Sequence, residues 1–307
     1  MFPVLSVDHS RSEAHEQLGS KAKFWFTDQD RRMLFKAEER GTGEDWAEKI
    51  ACELCRLIGL PHVHYELASE CDGARVLHPG VVCESCAPPP LDLVLGNELL
   101  FKRDPRYPAA DVRQHKVHEH TVDAVVAVLR EIDPPAQPWM AGVPTGILSA
   151  LDVFVGYVML DAWIANQDRH HENWAALRDA DRLRLAPTYD HGAALARNIT
   201  DAERKDRLTT RDRNRTLAHY AARAGSAFYA AVSDRKPLLT VQAFLAFADR
   251  APDAARRWRD ALRTATIPQV REIVDEVPPY RMSAITRDFT VELLTVNRRR
   301  LLEESPT

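Results

Sequence analysis

The chain has 307 residues, of which 45% are hydrophobic and 28% charged, as in folded globular proteins, and it is long enough for two packed regions. Its formal net charge of −4 offers no general attraction to nucleic acid. The first residues do not resemble a signal peptide, and no apolar run is long enough to cross a bilayer. We therefore expect a soluble cytoplasmic protein without a membrane or nucleic-acid partner.

The first predicted elements are strands. Residues 1–14 show no pattern and are expected to form an N-terminal arm. A hairpin follows, with strands at 23–26 and 32–36 and a turn at Asp28-Gln29-Asp30. The group Gly19-Ser20-Lys21 stands before the hairpin. Its single glycine is equally compatible with a backbone that approaches a ligand and with an ordinary β-turn.

An amphipathic helix is predicted next. It should start with Thr42 and Asp45 as a capping box and stop at Gly59 and Pro61. Its apolar residues recur at helical spacing. They are Ala47, Ile50, Ala51, Leu54, Leu57 and Ile58.

Two more strands are predicted at 62–68 and 74–82, before a break at Pro88-Pro89-Pro90. Two cysteine pairs, Cys52/Cys55 and Cys83/Cys86, have the spacing of zinc half-sites. The first pair falls within the predicted helix rather than on a tight turn. We therefore expect the five cysteines to be thiols that bind no structural metal.

The rest of the sequence is mostly helical. A long apolar helix is predicted from Gly146 to Ile164. Residues 193–215, rich in Arg and Thr, are compatible with a loop beside a peptide groove or with a plain exposed loop. His115, His118 and His120 have poor spacing for a metal and are expected to be solvent-exposed. Further helical segments are predicted at 121–132, 217–232, 241–250, 254–265, 270–277 and 284–302.

The stretch 160–192 contains the residues with the strongest chemical pattern. Asp168 and Asn173 have D-x-x-x-x-N spacing, and Asp190-His191-Gly192 follows after a predicted two-stranded turn. Phosphoryl transfer needs one carboxylate to take or orient the acceptor proton, and a second carboxylate and an amide to hold Mg²⁺ on the phosphates. The spacing is that of a kinase catalytic loop followed by an equivalent of D-F-G. Asp168, Asn173 and Asp190 are therefore predicted to be catalytic, with Asn173 and Asp190 as magnesium ligands.

A kinase also needs groups that hold the nucleotide. Lys36, at the end of the hairpin, is predicted to reach the ATP phosphates. Backbone amides around Gly19 could approach the same phosphates, and Ser20 and Lys21 next to it are predicted to bind the nucleotide. The break at the three prolines would mark the hinge between two lobes, and Glu84 lies in the segment expected to meet the adenine.

The residues of this loop resemble those of one kinase family. N-Q-D-R-H-x-x-N-W, followed by L-A-P-x-Y-D-H-G, resembles the HipA-like kinases, whose loop reads N-x-D-R-H-x-x-N. The resemblance implies an α+β, bilobal protein-kinase-like fold, with a small β-rich N-lobe at 15–86 and a larger, mainly helical C-lobe at 87–307. It implies an ATP- and Mg²⁺-dependent kinase acting on Ser or Thr of a protein. It further implies that His170 braces the loop.

The resemblance also bears on the acid that pairs with Lys36. Glu48 on the predicted helix matches the acid of HipA-like kinases, and Glu53 is the alternative. Full-length HipA toxins carry an additional N-terminal subdomain, whereas here the phosphate-loop region begins almost at once. Toxin activity and an antitoxin partner therefore stay open, and the protein substrate is not identified.

A lipid kinase and a nucleotide-binding pseudokinase are the two alternative functions. Phosphoinositide kinases also carry D-R-H-x-x-N, but a lipid kinase would need a basic or apolar surface that faces a membrane. A pseudokinase that only binds nucleotide would be expected to lack one member of the catalytic set. None is missing, since Lys36, Asp168, Asn173 and Asp190 are all present.

Overall fold

The computed structural model describes residues 1–15, 22–38, 41–108 and 117–303, which form a mixed α+β structure. Strands predominate in the first third of the chain and helices in the rest, as the sequence predicts. The larger sheet has six strands in the order β1-β5-β6-β4-β3-β2. In chain order they are β1 (Val4–Asp8), β2 (Ala14–His15), β3 (Lys23–Asp28), β4 (Arg31–Ala37), β5 (Tyr65–Asp72) and β6 (Arg75–Glu84).

The N-terminal segment is part of this sheet. Residues 1–14 were predicted to be an arm, but β1 pairs in parallel with β5 and buries Val7 against the sheet. The prediction is wrong. Only one side chain of VLSVD is buried, so the segment has too little alternation of apolar and polar residues to predict a strand from the sequence. The strand forms through backbone hydrogen bonds to a partner some 60 residues away in sequence.

The β3–β4 hairpin follows the prediction closely. Gln29 and Asp30 have φ values of 48° and 65°, which is the geometry of a type I′ turn. The turn sets the register, with Lys23 opposite Lys36 and Phe24 opposite Phe35. On the other side β4 pairs with β6, so Lys36 lies on an interior strand of the sheet.

Helix α1 (Glu44–Ile58) lies between the sheet and the helical part of the chain, and 13 of its 15 residues are buried. One face joins the large helical core through Trp46, Ile50 and Leu54. The other packs Cys52 against the sheet beside Tyr65. The helix ends at Gly59, as predicted, with a left-handed conformation there.

The start of α1 differs from the prediction. Gly43 is the N-cap and makes no side-chain capping bond, so Thr42 and Asp45 form no capping box. The Glu38 carboxylate instead accepts hydrogen bonds from the backbone N–H groups of Glu44 (2.5 Å) and Thr42 (3.3 Å). An acid that directly follows the preceding strand thus accepts from the amide of the first helical residue and from an amide just before the helix, neither of which has a partner within the helix.

Two ion pairs attach the first turn of α1 to the rest of the molecule. Oε1 of Glu44 lies 2.6 Å from Nη2 of Arg197. Asp45 accepts from Arg281 at 2.5 Å, and both of these side chains are buried. The same guanidinium donates to the carbonyl of Ala68 on β5. Arg281 therefore joins α1, the sheet and the segment before the last helix.

The helical part is built around α4 (Ala150–Ile164), in which every residue except Asp152 is buried. It begins at Ala150 rather than at Gly146, because Ser149 and Asp152 form a capping box. Gly156 lets helix α8 (Pro252–Thr264) approach closely, since a Cβ there would lie 2.5 Å from the ring of Trp258. Trp258 also donates to the carbonyl of Asp152 at 2.7 Å.

The other helices pack around α4, and a second sheet lies beside them. The predicted helix at 217–232 ends at Ala222, and residues 193–215, predicted to be a loop, contain a helix. Within the described residues, no helix is long and apolar enough to cross a membrane. The remaining helices are α2 (Gly96–Arg103), α3 (Val122–Leu129), α5 (Asp201–Thr209), α6 (Leu217–Ala222), α7 (Thr240–Ala248), α8 (Pro252–Thr264), α9 (Ile267–Asp275) and α10 (Ala284–Glu303). The second sheet contains β7 (Asp92–Leu95), β8 (Ala175–Asp179) and β9 (Arg182–Leu185).

Candidate active site

Lys36 lies at the centre of a charged cluster between the sheet and the helical part. Its Nζ is 3.3 Å from Oε1 of Glu48 on α1 and 3.1 Å from Oδ1 of Asp190, which follows β9. It is also 3.2 Å from the hydroxyl of Tyr65 on β5. Lys36 and Glu48 are 12% and 3% exposed, whereas Asp190 is 33% exposed. Asp190 is thus the most exposed member of this ion-pair cluster.

Burial and charge act in opposite directions on Lys36. Burial alone would lower its pKa, but the neighbouring carboxylate of Asp190, with Tyr65 and Glu48, raises the pKa well above its usual value. Burial also raises the pKa of Glu48, and the charge of Lys36 offsets only part of that effect. Lys36 is therefore held as a cation in a place where water contributes little.

Asp190 is placed by its backbone. Its φ of 61° is in the left-handed region, which a non-glycine residue adopts only when the surroundings impose it. The next amide, of His191, donates to Oε2 of Glu48 at 2.8 Å. Glu48 therefore uses one oxygen for Lys36 and the other for the segment that carries Asp190. The alternative acid, Glu53, pairs instead with Lys49 at 2.7 Å.

The loop after α4 carries Asp168 and Asn173. The Asn173 side chain is buried and donates through Nδ2 to the carbonyl of Asp168 at 2.6 Å, which closes the loop. The amide of Asp168 donates to Oδ1 of Asn166 at 3.2 Å. The Asp168 side chain itself is 54% exposed. Its backbone is therefore fixed while its carboxylate remains accessible.

His170 lies within this loop. Its Nδ1 accepts from the amide of Glu172 at 3.2 Å, and its Nε2 is 3.8 Å from Oδ1 of Asp168. These contacts lie within the turn that His170 is predicted to brace, and its role at the site stays a prediction.

A buried ion pair holds the loop from behind. Arg169 donates from Nε and Nη2 to the two carboxylate oxygens of Asp161, both at 2.8 Å. It also donates through Nη1 to the carbonyl of Asn173 at 3.0 Å. Asn166 donates to the same carboxylate at 2.8 Å. Asp161 is the last polar residue of α4, so the helix core and the catalytic loop are joined by one side chain.

Arg169 also connects the loop to the Lys36 cluster. Its Nη2 is 3.2 Å from Nε2 of His191, and because a guanidinium only donates, that nitrogen accepts. Burial and the adjacent charge of Arg169 lower the pKa of His191 well below its usual value, so the ring is neutral. A continuous chain of contacts therefore runs from Asn173 through Arg169 and His191 to Glu48 and Lys36.

A second histidine behind the loop departs from the prediction. His120 was expected to be solvent-exposed, but it is 2% exposed. Its Nδ1 lies 3.0 Å from the carbonyl of Ala227, which only accepts, and Nε2 accepts from Nε1 of Trp174 at 3.2 Å. Burial lowers the pKa of His120 to about 3. The neutral ring thus anchors Trp174, the residue after Asn173; His118 is exposed, as expected, and His115 lies outside the described residues.

Two further groups of predicted residues have different outcomes. Gly19, Ser20 and Lys21 lie outside the described residues, so their predicted contact with phosphates stays a prediction. Glu84 ends β6 opposite Met33, and its side chain is 51% exposed and 3.6 Å from Arg31. The predicted contact of Glu84 with adenine therefore stays a prediction.

Asn173 and Asp190 carry oxygen atoms of the kind that magnesium binds. Because Asn173 uses its nitrogen to hold the Asp168 carbonyl, its Oδ1 is the atom left to accept. Asp190 adds a partly exposed carboxylate. Carboxylate and amide oxygens, completed by phosphate oxygens, are the usual Mg²⁺ ligands. Lys36 supplies the fixed positive charge that the phosphates require.

Comparison with known proteins bears on the fold of the chain. No protein-family model and no curated protein matches the chain. A solved structure of the Helicobacter pylori proinflammatory kinase CtkA matches with a TM-score of 0.71 at 17% identity, covering 99% of this chain and 100% of that one. HipA from the Shewanella oneidensis toxin–antitoxin HipA, HipB and operator DNA complex matches with a TM-score of 0.55 at 11% identity, covering 94% of this chain and 65% of that one. The chain has a HipA-like kinase fold. The predicted fold class is thereby confirmed, and the chain spans about two thirds of the HipA chain.

Three residues of this site were missed by the sequence reasoning. Tyr65 contacts Lys36, and Asp161 pairs with Arg169. His191 contacts Arg169 on the side toward the Lys36 cluster. A partner for Asp161 could have been predicted from the sequence, because a buried carboxylate near the end of an otherwise apolar helix needs a cation or a hydrogen-bond donor. Tyr65 and His191 left no comparable signal.

Proposed function

We propose that the chain is an ATP- and magnesium-dependent kinase that transfers the γ-phosphate of ATP to a hydroxyl of a protein Ser or Thr. The observation that carries the proposal is the position of Lys36 between Glu48 and Asp190, at 3.3 and 3.1 Å. A lysine that is buried, charged and shared between two acids from different parts of the chain is what positions phosphates in kinases. The kinase fold supports the same reaction class.

Each residue has one task in this proposal. Lys36 binds the phosphates, and Glu48 keeps its side chain extended across the cleft. Asn173 and Asp190 hold magnesium, which supplies charge neutralisation on the phosphate oxygens. Asp168 orients the acceptor hydroxyl and takes up its proton as the new oxygen–phosphorus bond forms, while the bond from the γ-phosphorus to the β-phosphate oxygen breaks and ADP leaves.

The acceptor is proposed to be a protein. The Asp168 carboxylate is 54% exposed, so a hydroxyl carried on a folded or extended polypeptide can reach it. A lipid acceptor would require a membrane-facing basic surface, which a chain of net charge −4 does not favour. The five cysteines are free thiols, which suits the reducing cytoplasm that we propose as the site of action.

Two substitutions of a carboxylate by an amide test the assignment, because one should impair nucleotide binding and the other turnover. Asp190→Asn removes a charge from the metal site, so Mg–ATP should bind weakly and added magnesium should partly restore binding. Asp168→Asn should bind Mg–ATP normally but lose turnover by roughly 10²–10⁴-fold. The exposed Asp181, in the turn after β8, provides a matched control, and Asp181→Asn should change neither property.

Nucleotide titrations and single-turnover assays with labelled ATP and a cell lysate measure both effects. Locating the labelled residues then identifies the acceptor. Normal turnover in Asp168→Asn, or equal loss of nucleotide binding in both variants, would show that the two roles are wrong. Phosphate found on lipid rather than on protein would replace the proposed acceptor.

A further inference from the structure

Three potential metal ligands meet on the side of α1 that faces the sheet. Cys52 lies on α1, and His62 and His64 lie on the short segment that leads into β5. One ligand atom from each residue lies within 4.8 Å of the others. In the part of the chain that the structure describes, this is the group of His, Cys, Asp and Glu residues that could hold a metal ion.

The fold brings these residues together for local reasons. Val63 is buried between the two histidines, and its amide donates to the carbonyl of Thr188 at 2.9 Å. An extended segment with its middle residue buried places the residues on either side of it toward one face. Cys52 is buried where α1 crosses this segment, and its sulfur accepts the backbone N–H of Tyr65 at 3.4 Å.

Both imidazole rings have one nitrogen committed to a second partner. Nδ1 of His62 lies 2.6 Å from the carbonyl of Leu60, so it carries the proton and Nε2 keeps the lone pair. Nε2 of His64 lies 2.6 Å from Oε1 of Glu66, so its lone pair is on Nδ1. A histidine that donates one N–H to a carbonyl or carboxylate and presents the other nitrogen is the usual arrangement around a protein-bound metal.

The distance between two of the ligand atoms has the size that zinc requires. Sγ of Cys52 is 3.5 Å from Nδ1 of His64. In a zinc tetrahedron with Zn–S of about 2.3 Å and Zn–N of about 2.05 Å, the sulfur–nitrogen edge is about 3.6 Å. The same pair of atoms can also share a weak S–H···N hydrogen bond, so the distance alone does not distinguish the two states.

Two cations lie near the cluster: Lys49, whose Nζ is 2.9 Å from Oε2 of Glu66, and Arg56. Nη2 of Arg56 is 2.9 Å from Nδ1 of His64 and must leave that nitrogen when a metal binds. Its side chain is 57% exposed and already pairs with Glu53 at 3.1 Å, so it has another partner and room to move. The displacement therefore costs one exposed contact.

We propose that Cys52, His62 and His64 form a Zn²⁺ site with one position left for water or an added ligand. Binding deprotonates the thiol and joins α1 to the segment that enters β5. This revises the expectation that the cysteines bind no metal: that expectation considered cysteines paired by sequence spacing, whereas the fold places histidines beside Cys52. The site lies one helical turn from Glu48, so it stiffens the helix that holds Lys36.

Cobalt titration tests the site directly, because Co²⁺ replaces Zn²⁺ in sulfur and nitrogen sites and is visible. The metal-free full chain should bind one equivalent of Co²⁺ with a thiolate-to-cobalt charge-transfer band and the d–d bands of tetrahedral cobalt, and Zn²⁺ should erase both. Cys52→Ser should abolish the charge-transfer band, and His62→Gln should abolish the tetrahedral spectrum. Cys71→Ser, a half-buried cysteine of β5 outside the cluster, is the matched control and should bind like the wild type.

A second readout covers variants that fold less well. Zn²⁺ should raise the melting temperature of the wild type and of Cys71→Ser but not of Cys52→Ser. Glu66→Gln, which removes the carboxylate from His64, should weaken binding by roughly 10–100-fold. A wild-type titration without the charge-transfer band, or a band that survives in Cys52→Ser, would overturn the site. None of these measurements depends on phosphotransfer.

Discussion

Two clusters of acid and base in this molecule have similar residues and different properties. Asp161 and Arg169 are 4% and 2% exposed, and the carboxylate takes two hydrogen bonds from the guanidinium at 2.8 Å. Lys36, Glu48 and Asp190 form the second cluster, in which the contacts are longer and Asp190 is one-third exposed. The first cluster fixes the backbone of the catalytic loop. The second offers a partly exposed charge to whatever enters the cleft.

The difference separates groups that shape a site from groups that act in it. A buried ion pair whose hydrogen bonds are all made has no donor or acceptor available for a ligand. Removing one partner leaves an isolated charge in the interior. A cluster that opens to solvent can exchange its contacts for a ligand at small cost. We therefore expect the first cluster to control stability and the second to control activity.

The largest effect is expected from Asp161→Asn. Arg169 would stay buried without a counter-charge, which should lower the free energy of unfolding by roughly 3–5 kcal/mol. Urea unfolding measures this loss, with Asp181→Asn as a surface control. Replacing both partners, as Asp161→Leu with Arg169→Met, should recover part of the stability. A single variant as stable as the wild type would contradict the assignment of this pair as the brace.

Lys36→Met should separate activity from stability. Glu48 has a raised pKa and can take up a proton once the lysine is gone, so no buried charge is left unpaired. We expect a folded protein whose turnover falls by roughly 10²–10³-fold, because the phosphates lose a fixed positive charge. Phosphotransfer assays and thermal unfolding check the two parts. Lys102→Met, on the exposed face of α2, is the control, and wild-type turnover in Lys36→Met would move the phosphate site elsewhere.

Acid should weaken the scaffold through His120. Its pKa is about 3 in the folded chain and about 6.5 when unfolded, so between these values the unfolded chain holds a proton that the folded chain lacks. Stability therefore falls as the pH drops below about 6.5, by up to about 1.4 kcal/mol per pH unit from this ring. Urea unfolding of the wild type and of His120→Gln at about pH 7 and about pH 5 measures the share of His120. Equal losses in the two proteins would show that His120 does not contribute.

The smallest effect is expected from Glu38→Ala. Glu38 caps α1 through the amides of Glu44 and Thr42, and losing a helix cap costs about 1 kcal/mol. The difference in free energy of unfolding from the wild type measures it. Glu292→Ala, on the exposed face of α10, should change stability by less than about 0.5 kcal/mol. If both substitutions cost the same, the buried Glu38 carboxylate does not act as a cap.

The sequence indicated those features that are encoded over a short span. The spacing of Asp168 and Asn173, the Asp190-His191-Gly192 segment and the stripe of α1 are local patterns, and contacts through Arg169, His191 and Glu48 join the three segments. Contacts between distant segments left no such pattern. Strand β1 becomes a strand only because β5 pairs with it, and His120 is buried only because Ala227 and Trp174 take its two nitrogens. The histidines beside Cys52 were missed for the same reason, since the fold and not the spacing brings them together.

The attachment of Asp45 to Arg281 has a consequence for control. An outward swing of α1, taking Glu48 from Lys36, would also pull Asp45 from a buried guanidinium that holds the sheet as well. Separating such a pair costs on the order of 3–5 kcal/mol, which would keep a displaced helix below about one molecule in a hundred. An agent that works by displacing α1 would therefore have to supply at least that free energy.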